Sequence, residues 1–391
     1  MPLDLKRQHE NAKPTRGIMR SFVSGLGRAV IFNGADKPLE LIQARLPRPN
    51  RGEILVEIEC STICSSDLHT HSGRRIEPMP TVLGHEIVGR IMRFGDDARR
   101  IDARGEKLDA GDRITWTIGA SCGNCGNCHD GLEQKCLKLV KYGHERIGLD
   151  MPFRGGLADV VLLSPGTGMV KLPDVLPADV SLEIMTLANC STATAVAVLR
   201  AGFARRNRPG MSVAVLGAGV LGLTACAMAR SIYQASVVIA CDRDRDRAQR
   251  ALQFGATHIC TDLSELASIA KEVTGQDGVD VAVELAGSIQ TTQAAAEVAR
   301  TGGTAVLAGT TMPTDPLVIQ PQRIVRRLLR IEGVHNYVTS DLIAAVDFLL
   351  GKGHLFPMQS LIAGRYELSK TTEAFTKGHA NAGMRVAIVP E

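Results

Sequence analysis

Three groups of residues have the types and spacing to do chemistry. The first is "CGNCGNCHDGLEQKC", where Cys122, Cys125, Cys128 and Cys136 fall in C-x2-C-x2-C-x7-C spacing. Four thiolates at such spacing suit one tetrahedral zinc. A zinc closed by four cysteines has no open position and cannot bind a substrate. The second is "VAVLGAGVLGLTA", with Gly217, Gly219 and Gly222 in G-x-G-x-x-G spacing. A β-branched strand leads in and an Ala/Leu-rich helix beginning at Val220 and Leu221 leads out. Gly217 would allow the tight turn, Gly219 the approach of a pyrophosphate, and Gly222 close helix-strand packing, with the phosphates at the helix N-terminus. Asp242 ends the next strand, twenty residues after Gly222, where a carboxylate binds adenosine ribose hydroxyls. That carboxylate repels a 2′-phosphate and favours NAD, whereas Arg243 beside it could instead pair with the phosphate of NADP. The third group is scattered: "ECSTICSSDLHTHSG", "VLGHEIVG" and "ANCSTATA". Each piece alone is a weak signal, because an isolated cysteine is ordinarily a small buried apolar residue.

The chain that must position these groups has 391 residues, enough for two domains. Hydrophobic residues make up 45% and charged residues 22%, as in soluble globular proteins. Net charge is +4 and no long basic run occurs, which argues against a nucleic-acid partner. No uncharged apolar run reaches ~18 residues, which argues against a membrane span. Residues 1–25 form a polar extension without the apolar core of a signal peptide, and this points to the cytoplasm. There, clustered cysteines are more often metal ligands than disulfides.

Residues 26–191 carry short apolar runs ("GRAVIF", "EILVEIEC", "EIVGRIMRFG", "DRITWTI", "ADVVLL") punctuated by Gly, Pro and Asp, the texture of an irregular β domain. Over residues 192–334, apolar strands alternate with helical stretches, which predicts a doubly wound parallel sheet. Residues 335–391 hold one amphipathic helix, "SDLIAAVDFLLGKG", then short apolar pieces ending in "RVAIVP", and are expected to return to the first domain.

Taken together, in this order and spacing, the three groups resemble the zinc-dependent alcohol dehydrogenases of the medium-chain dehydrogenase/reductase superfamily, over nearly the whole chain from residue 27. The resemblance implies an α/β chain with a GroES-like β-rich catalytic domain and a Rossmann coenzyme domain. It implies that Cys64, His85 and Cys190 hold a catalytic zinc, and that the four clustered cysteines hold a second, structural one. It gives Ser66 the role of taking the alcohol proton and His69 that of passing it outward. Asp67 would orient the zinc-bound histidine, and Glu86 would tune or transiently ligate the metal. Arg385, in "GMRVAIVP", would reach the coenzyme pyrophosphate. The family forms homodimers and homotetramers and acts on small alcohols or their carbonyl products. A polyol or threonine dehydrogenase of the same family is the alternative.

"LKLVKYGHE", "RIEGVHNY" and "ANCSTATA" are similar to a narrower group, alcohol dehydrogenases associated with phosphonate metabolism. That similarity implies a small hydroxyalkyl or aldehyde phosphonate as substrate. Lys141, His144, Arg146 and His335 are the candidate contacts to such an anion. The sole tryptophan, Trp116, fits either a pocket mouth or a core.

Overall fold

The computed structural model describes residues 25–391, so all but the last residue of the polar extension lies outside the described part. Two sheets organise the chain. The first has the order Ile362–Glu367, Arg385–Val389, Ile54–Ile63, Glu86–Phe94, Arg113–Ala120 and Val140–Lys141, with Val160–Leu163 paired to the third of these and Thr167–Lys171 to the fifth. Apart from the parallel pair Ile362–Glu367 and Arg385–Val389, its neighbours run antiparallel. Trp116 is buried here among Ile87, Ile114 and Met169, so it is core rather than pocket mouth.

The second sheet is parallel throughout, in the order His258–Cys260, Val237–Cys241, Ser212–Leu216, Val279–Glu284, Ala299–Leu307 and Arg330–Gly333. Numbered along the chain this is 3-2-1-4-5-6, the doubly wound order. The topological switch lies between Ser212–Leu216 and Val279–Glu284, where such folds bind ligands beyond the carboxyl ends of their strands. Strand Ser212–Leu216 is wholly buried, as expected for a strand with helices on both faces.

The C-terminal part holds more than one helix. Thr339–Leu350 forms as predicted and shares a core with helix Ser191–Phe203 through Leu342, Ala345 and Val346. A further helix, Thr371–Ala380, was not predicted. Its sequence, TTEAFTKGHA, has little apolar periodicity, and it buries only Thr371, Ala374, Phe375 and Gly378. Among the described residues no single helix is long and apolar enough to cross a membrane.

One tyrosine joins the parts. The buried Tyr337 hydroxyl accepts the Ile118 N–H at 2.9 Å and donates to the carbonyl of Asn189, the residue before Cys190. Tyr337→Phe leaves a buried N–H and a buried carbonyl without partners. We expect a loss of at least ~1–3 kcal/mol in denaturant unfolding, with an unchanged denaturant slope.

Candidate active site

Strand Ile54–Ile63 runs into Cys64, which stands at the N-terminus of helix Ser65–His71. Asp67 fixes that junction: one carboxylate oxygen accepts the Cys64 N–H at 2.8 Å, the other the Gly84 N–H at 3.2 Å. His85 follows Gly84 directly, and its Nδ1 lies 3.4 Å from Asp67 Oδ1 with no other partner. Asp67 thus stands where it can fix which way the imidazole points. Cys190 arrives from far along the chain, between the short turn Leu187–Asn189 and helix Ser191–Phe203. Asn189 clamps that turn to the His85 strand, accepting from Ile87 N–H at 3.1 Å and donating to Ile87 carbonyl at 3.3 Å.

The result brings one ligand atom each from Cys64, His85 and Cys190 within 4.8 Å of one another, with the two Sγ atoms 4.0 Å apart. Two soft thiols and one imidazole, at that spacing and buried or nearly so, fit a zinc with one open coordination position. The Cys64 thiol is held well below its usual range, by a hydrogen bond from Cys190 and, against the cost of burial, by the Arg385 guanidinium. Ser66 Oγ lies 3.3 Å from His85 Nε2, at the edge of this site. His69 is half-buried one helical turn beyond Ser66, on the same side of the helix.

Arg385 is placed differently from the sequence expectation. It is buried, with Nε 2.7 Å and Nη2 2.9 Å from the two Glu86 oxygens, and Nη2 is 3.2 Å from Cys64 Sγ. The reason is register. Val386 pairs with Ile63, so the residue before Val386 faces Cys64 at the strand end. Its contacts are to the metal site rather than to a phosphate position. Glu86 changes accordingly: Thr62 Oγ1 donates to it at 2.7 Å and Arg385 takes both oxygens, so the carboxylate is committed to these partners and not free to ligate.

The four clustered cysteines also gather, with all Sγ atoms within 4.8 Å. Cys125 Sγ lies 3.5 Å from Cys128 Sγ, and main-chain N–H groups of Cys122 and Lys138 donate to Cys136 Sγ at 3.2 and 3.3 Å. Main-chain N–H groups of Leu137 and Cys128 bring the Cys125 thiol down to about 6. This donor set fits a closed tetrahedral zinc.

At the coenzyme site, Gly217 has φ +106, open to glycine at little cost, and accepts no side chain because a Cβ would meet Ala286 N at 2.8 Å. A Cβ on Gly222 would lie 1.8 Å from Gly217 O, so the helix packs against the turn only through glycine. Gly219 is open, its nearest neighbour being Gly383 Cα at 3.9 Å from a built Cβ, which leaves room for a phosphate. Helix Val220–Ser231 starts immediately after, so Val220 and Leu221 supply the first free N–H groups. Asp242 accepts Ala218 N–H at 2.8 Å and Asp244 N–H at 3.0 Å, which fixes the carboxylate at the strand end. Arg243 is exposed there.

The four candidate anion contacts separate. Lys141 is half-buried, and its ammonium is brought down to about 8 by burial first and then by Arg75, with Lys135 adding to the effect. His144 is buried with its ring 5.0 Å from that of His85, and its Nδ1 lies 2.8 Å from Glu77 Oε1. Burial first, then Lys141, hold it well below its usual range, and its ring packs on the metal histidine rather than standing free to meet an anion. His335 is brought to about 4 by burial and then by Lys135 and Lys141, so it is neutral, and its Nδ1 lies 2.6 Å from Lys135 Nζ. Arg146 is exposed and forms no ion pair among the described residues. Sequence reasoning missed Arg75, Glu77 and Lys135. The first two follow the Cys64 helix in "SGRRIEP", and Lys135 sits inside the cysteine lobe; only the fold brings them together.

Lys135 and His335 also line a cleft of about 740 Å³, with Leu307, Ala308, Gly333 and Val334 at the carboxyl ends of two parallel strands. This is the side on which doubly wound sheets bind their ligands.

Comparisons with known proteins agree with this architecture. Residues 50–174 match the alcohol dehydrogenase GroES-like domain, and residues 220–351 the zinc-binding dehydrogenase domain. A Mycobacterium tuberculosis chain named "Probable alcohol dehydrogenase" is 30% identical over 339 residues, 84% of this chain and 88% of its own. An L-threonine 3-dehydrogenase from Deinococcus deserti is 28% identical over 302 residues, 76% of this chain and 80% of its own. The crystal structure of an alcohol dehydrogenase from Thermotoga maritima superposes with a TM-score of 0.85 at 27% identity, covering 94% of this chain and all of that one. The chain belongs to the zinc-binding alcohol dehydrogenase family of the medium-chain dehydrogenase/reductase superfamily. It is an oxidoreductase that acts on CH–OH groups with a nicotinamide coenzyme.

Proposed function

We propose that this enzyme interconverts a small alcohol bearing a phosphonate group and its aldehyde or ketone, with NAD as coenzyme and two zinc ions per chain. The observation that carries the substrate class is Lys141, a half-buried ammonium brought down by burial first and then by Arg75. Holding a half-buried ammonium beside another cation is costly, and an anion on the substrate offsets that cost. The similarity of "LKLVKYGHE", which contains Lys141, to phosphonate-associated dehydrogenases points the same way.

Cys64, His85 and Cys190 would hold the catalytic zinc, which supplies Lewis acidity that acidifies an alcohol or polarises a carbonyl. The chain's residues do the rest. The Ser66 hydroxyl, beside His85, takes the alcohol proton, and His69 one turn along the helix receives it on the side facing outward. Burial and nearby Arg74 hold His69 below its usual range, which keeps it a neutral acceptor near pH 7. Arg385 and Glu86 fix the charge around Cys64. The second zinc would sit among Cys122, Cys125, Cys128 and Cys136 and pin the lobe that carries Lys135.

Asp242 at the strand end supports NAD over NADP, because a fixed carboxylate repels a 2′-phosphate. Threonine, the substrate named for several relatives, brings an ammonium next to its hydroxyl. It also carries a carboxylate, so the zwitterion brings no net negative charge to the cationic site, whereas a phosphonate does. A panel of propan-1-ol, a polyol, threonine and 2-hydroxyethylphosphonate, each with NAD and NADP, tests the reading by NADH or NADPH absorbance. The expected order of kcat/KM puts the phosphonate with NAD first. A preference for the plain alcohol or for threonine would refute it.

A further inference from the structure

We propose that Glu284 is a positioning residue for the coenzyme. Its buried carboxylate ties turn 285–288 to loop 308–311, and so holds the wall against which the nicotinamide half of the coenzyme binds. The role is the same whatever alcohol the enzyme takes.

Glu284 is the last residue of strand Val279–Glu284, and it pairs with Leu216 on one side and Leu307 on the other. It therefore stands at the topological switch, at the carboxyl ends of the strands, level with the residue that leads into the glycine turn. A carboxylate is a costly residue to bury, and this one is fully buried. Its partners account for it. Oε1 accepts the Ala286 N–H at 2.8 Å, the Gly287 N–H at 2.7 Å and the Thr291 hydroxyl at 2.8 Å. Oε2 accepts the Thr310 hydroxyl at 3.2 Å. The Glu284 carbonyl accepts the N–H groups of Ala308 and Gly309 at 3.0 and 2.9 Å. Donors converging on both side-chain oxygens suit a group that only accepts.

These contacts join pieces that the chain supplies separately. A Cβ on Gly287 would lie 2.7 Å from Gly309 O, and one on Gly309 would lie 2.5 Å from Leu285 C, so turn and loop are in close contact. The turn also abuts the glycine turn, through Ala286 N and Gly217. The Thr310 hydroxyl lies 2.9 Å from that of Thr292. Ala308, Thr310, Ile289 and Thr292 line the 740 Å³ cleft. A dinucleotide held by Asp242 and the N-terminus of helix Val220–Ser231 crosses the switch from there, which brings its nicotinamide half to this cleft. The adenosine half is held without Glu284, since Gly217 N–H donates to Cys241 O at 2.7 Å and Ala218 N–H to Asp242 at 2.8 Å.

The test titrates the holoenzyme with NADH and with ADP, which stops at the pyrophosphate. Neither carries a 2′-phosphate, so the comparison does not depend on the choice between NAD and NADP. In Glu284→Ala we expect NADH to bind about tenfold more weakly, the size of one or two lost hydrogen bonds, and ADP affinity to change less than about threefold. Glu284→Gln keeps Oε1 for its donors and turns an amide N–H toward the Thr310 oxygen. It should return the ratio of NADH to ADP affinity to within about threefold of wild type. Thr291→Val removes one donor to Oε1, and Thr291 does not line the cleft. It should shift the ratio in the same direction by about threefold, and it tests the same role if Glu284→Ala does not fold. A role in folding alone would lower the denaturant midpoints and leave the ratio unchanged. That result, or equal losses of NADH and ADP affinity, overturns the proposal. A Glu284→Gln ratio as low as that of Glu284→Ala would overturn it too, because the donors would then not be what matters.

Discussion

Replacing Cys64 with Ala is expected to lower kcat/KM by at least ~10³-fold, while NADH still binds with near wild-type affinity. The size follows from the loss of several kcal/mol of charge stabilisation when the three-ligand set is broken. The separation of effects follows from the fold. Cys64 closes a strand of the antiparallel sheet, whereas Gly217, Gly219, Gly222 and Asp242 belong to the parallel sheet and the turn above it. Fluorescence titration with NADH and steady-state kinetics on the same preparation check it. Loss of NADH binding together with turnover would show that the two sites are not built separately as described.

The second large effect is on stability. Glu86→Ala is expected to cost about 3–5 kcal/mol, because it leaves Arg385 buried without its carboxylate. The wild-type pair is tight, with contacts of 2.7 and 2.9 Å and Arg385 only 4% exposed. Burial opposes the guanidinium charge, and Cys64 and Glu86 overcome that opposition. The double change Glu86→Ala with Arg385→Met removes both charges and should recover much of the loss. Denaturant midpoints at constant slope measure both. A single-variant loss below ~1 kcal/mol would mean that the pair is not the support of Cys64 described above.

Much of the fold was legible because local signals agreed with one another. Each apolar run followed by a helical stretch over residues 192–334 became a strand and its crossover, and the glycine spacing matched a turn that only glycine can make. The metal donors were legible as types, since Cys64, His85 and Cys190 converge and the four cysteines gather. What could not be read was partnership across the chain. Arg385 was expected to reach the coenzyme pyrophosphate, but antiparallel register with Ile54–Ile63 turns it onto Glu86 and Cys64. His144 and His335 looked like anion ligands, yet burial beside cations holds both below their usual range. Lys135 carried no local signal, because its meaning comes from sharing a cleft with His335, far away in sequence. The helix Thr371–Ala380 was invisible because its few apolar residues, Ala374 and Phe375, show no helical period and gain their partners only in the folded core, where Phe375 stacks on His71.

The measurement that bears most directly on the account is zinc content set beside turnover, because the account assigns the chemistry to Cys64, His85 and Cys190 and only structure to the four-cysteine lobe. Wild-type protein should carry about two zinc per chain, and Cys64→Ala about one, folded but inactive. One zinc or none in the active wild type, or turnover that survives in the one-zinc variant, would contradict it.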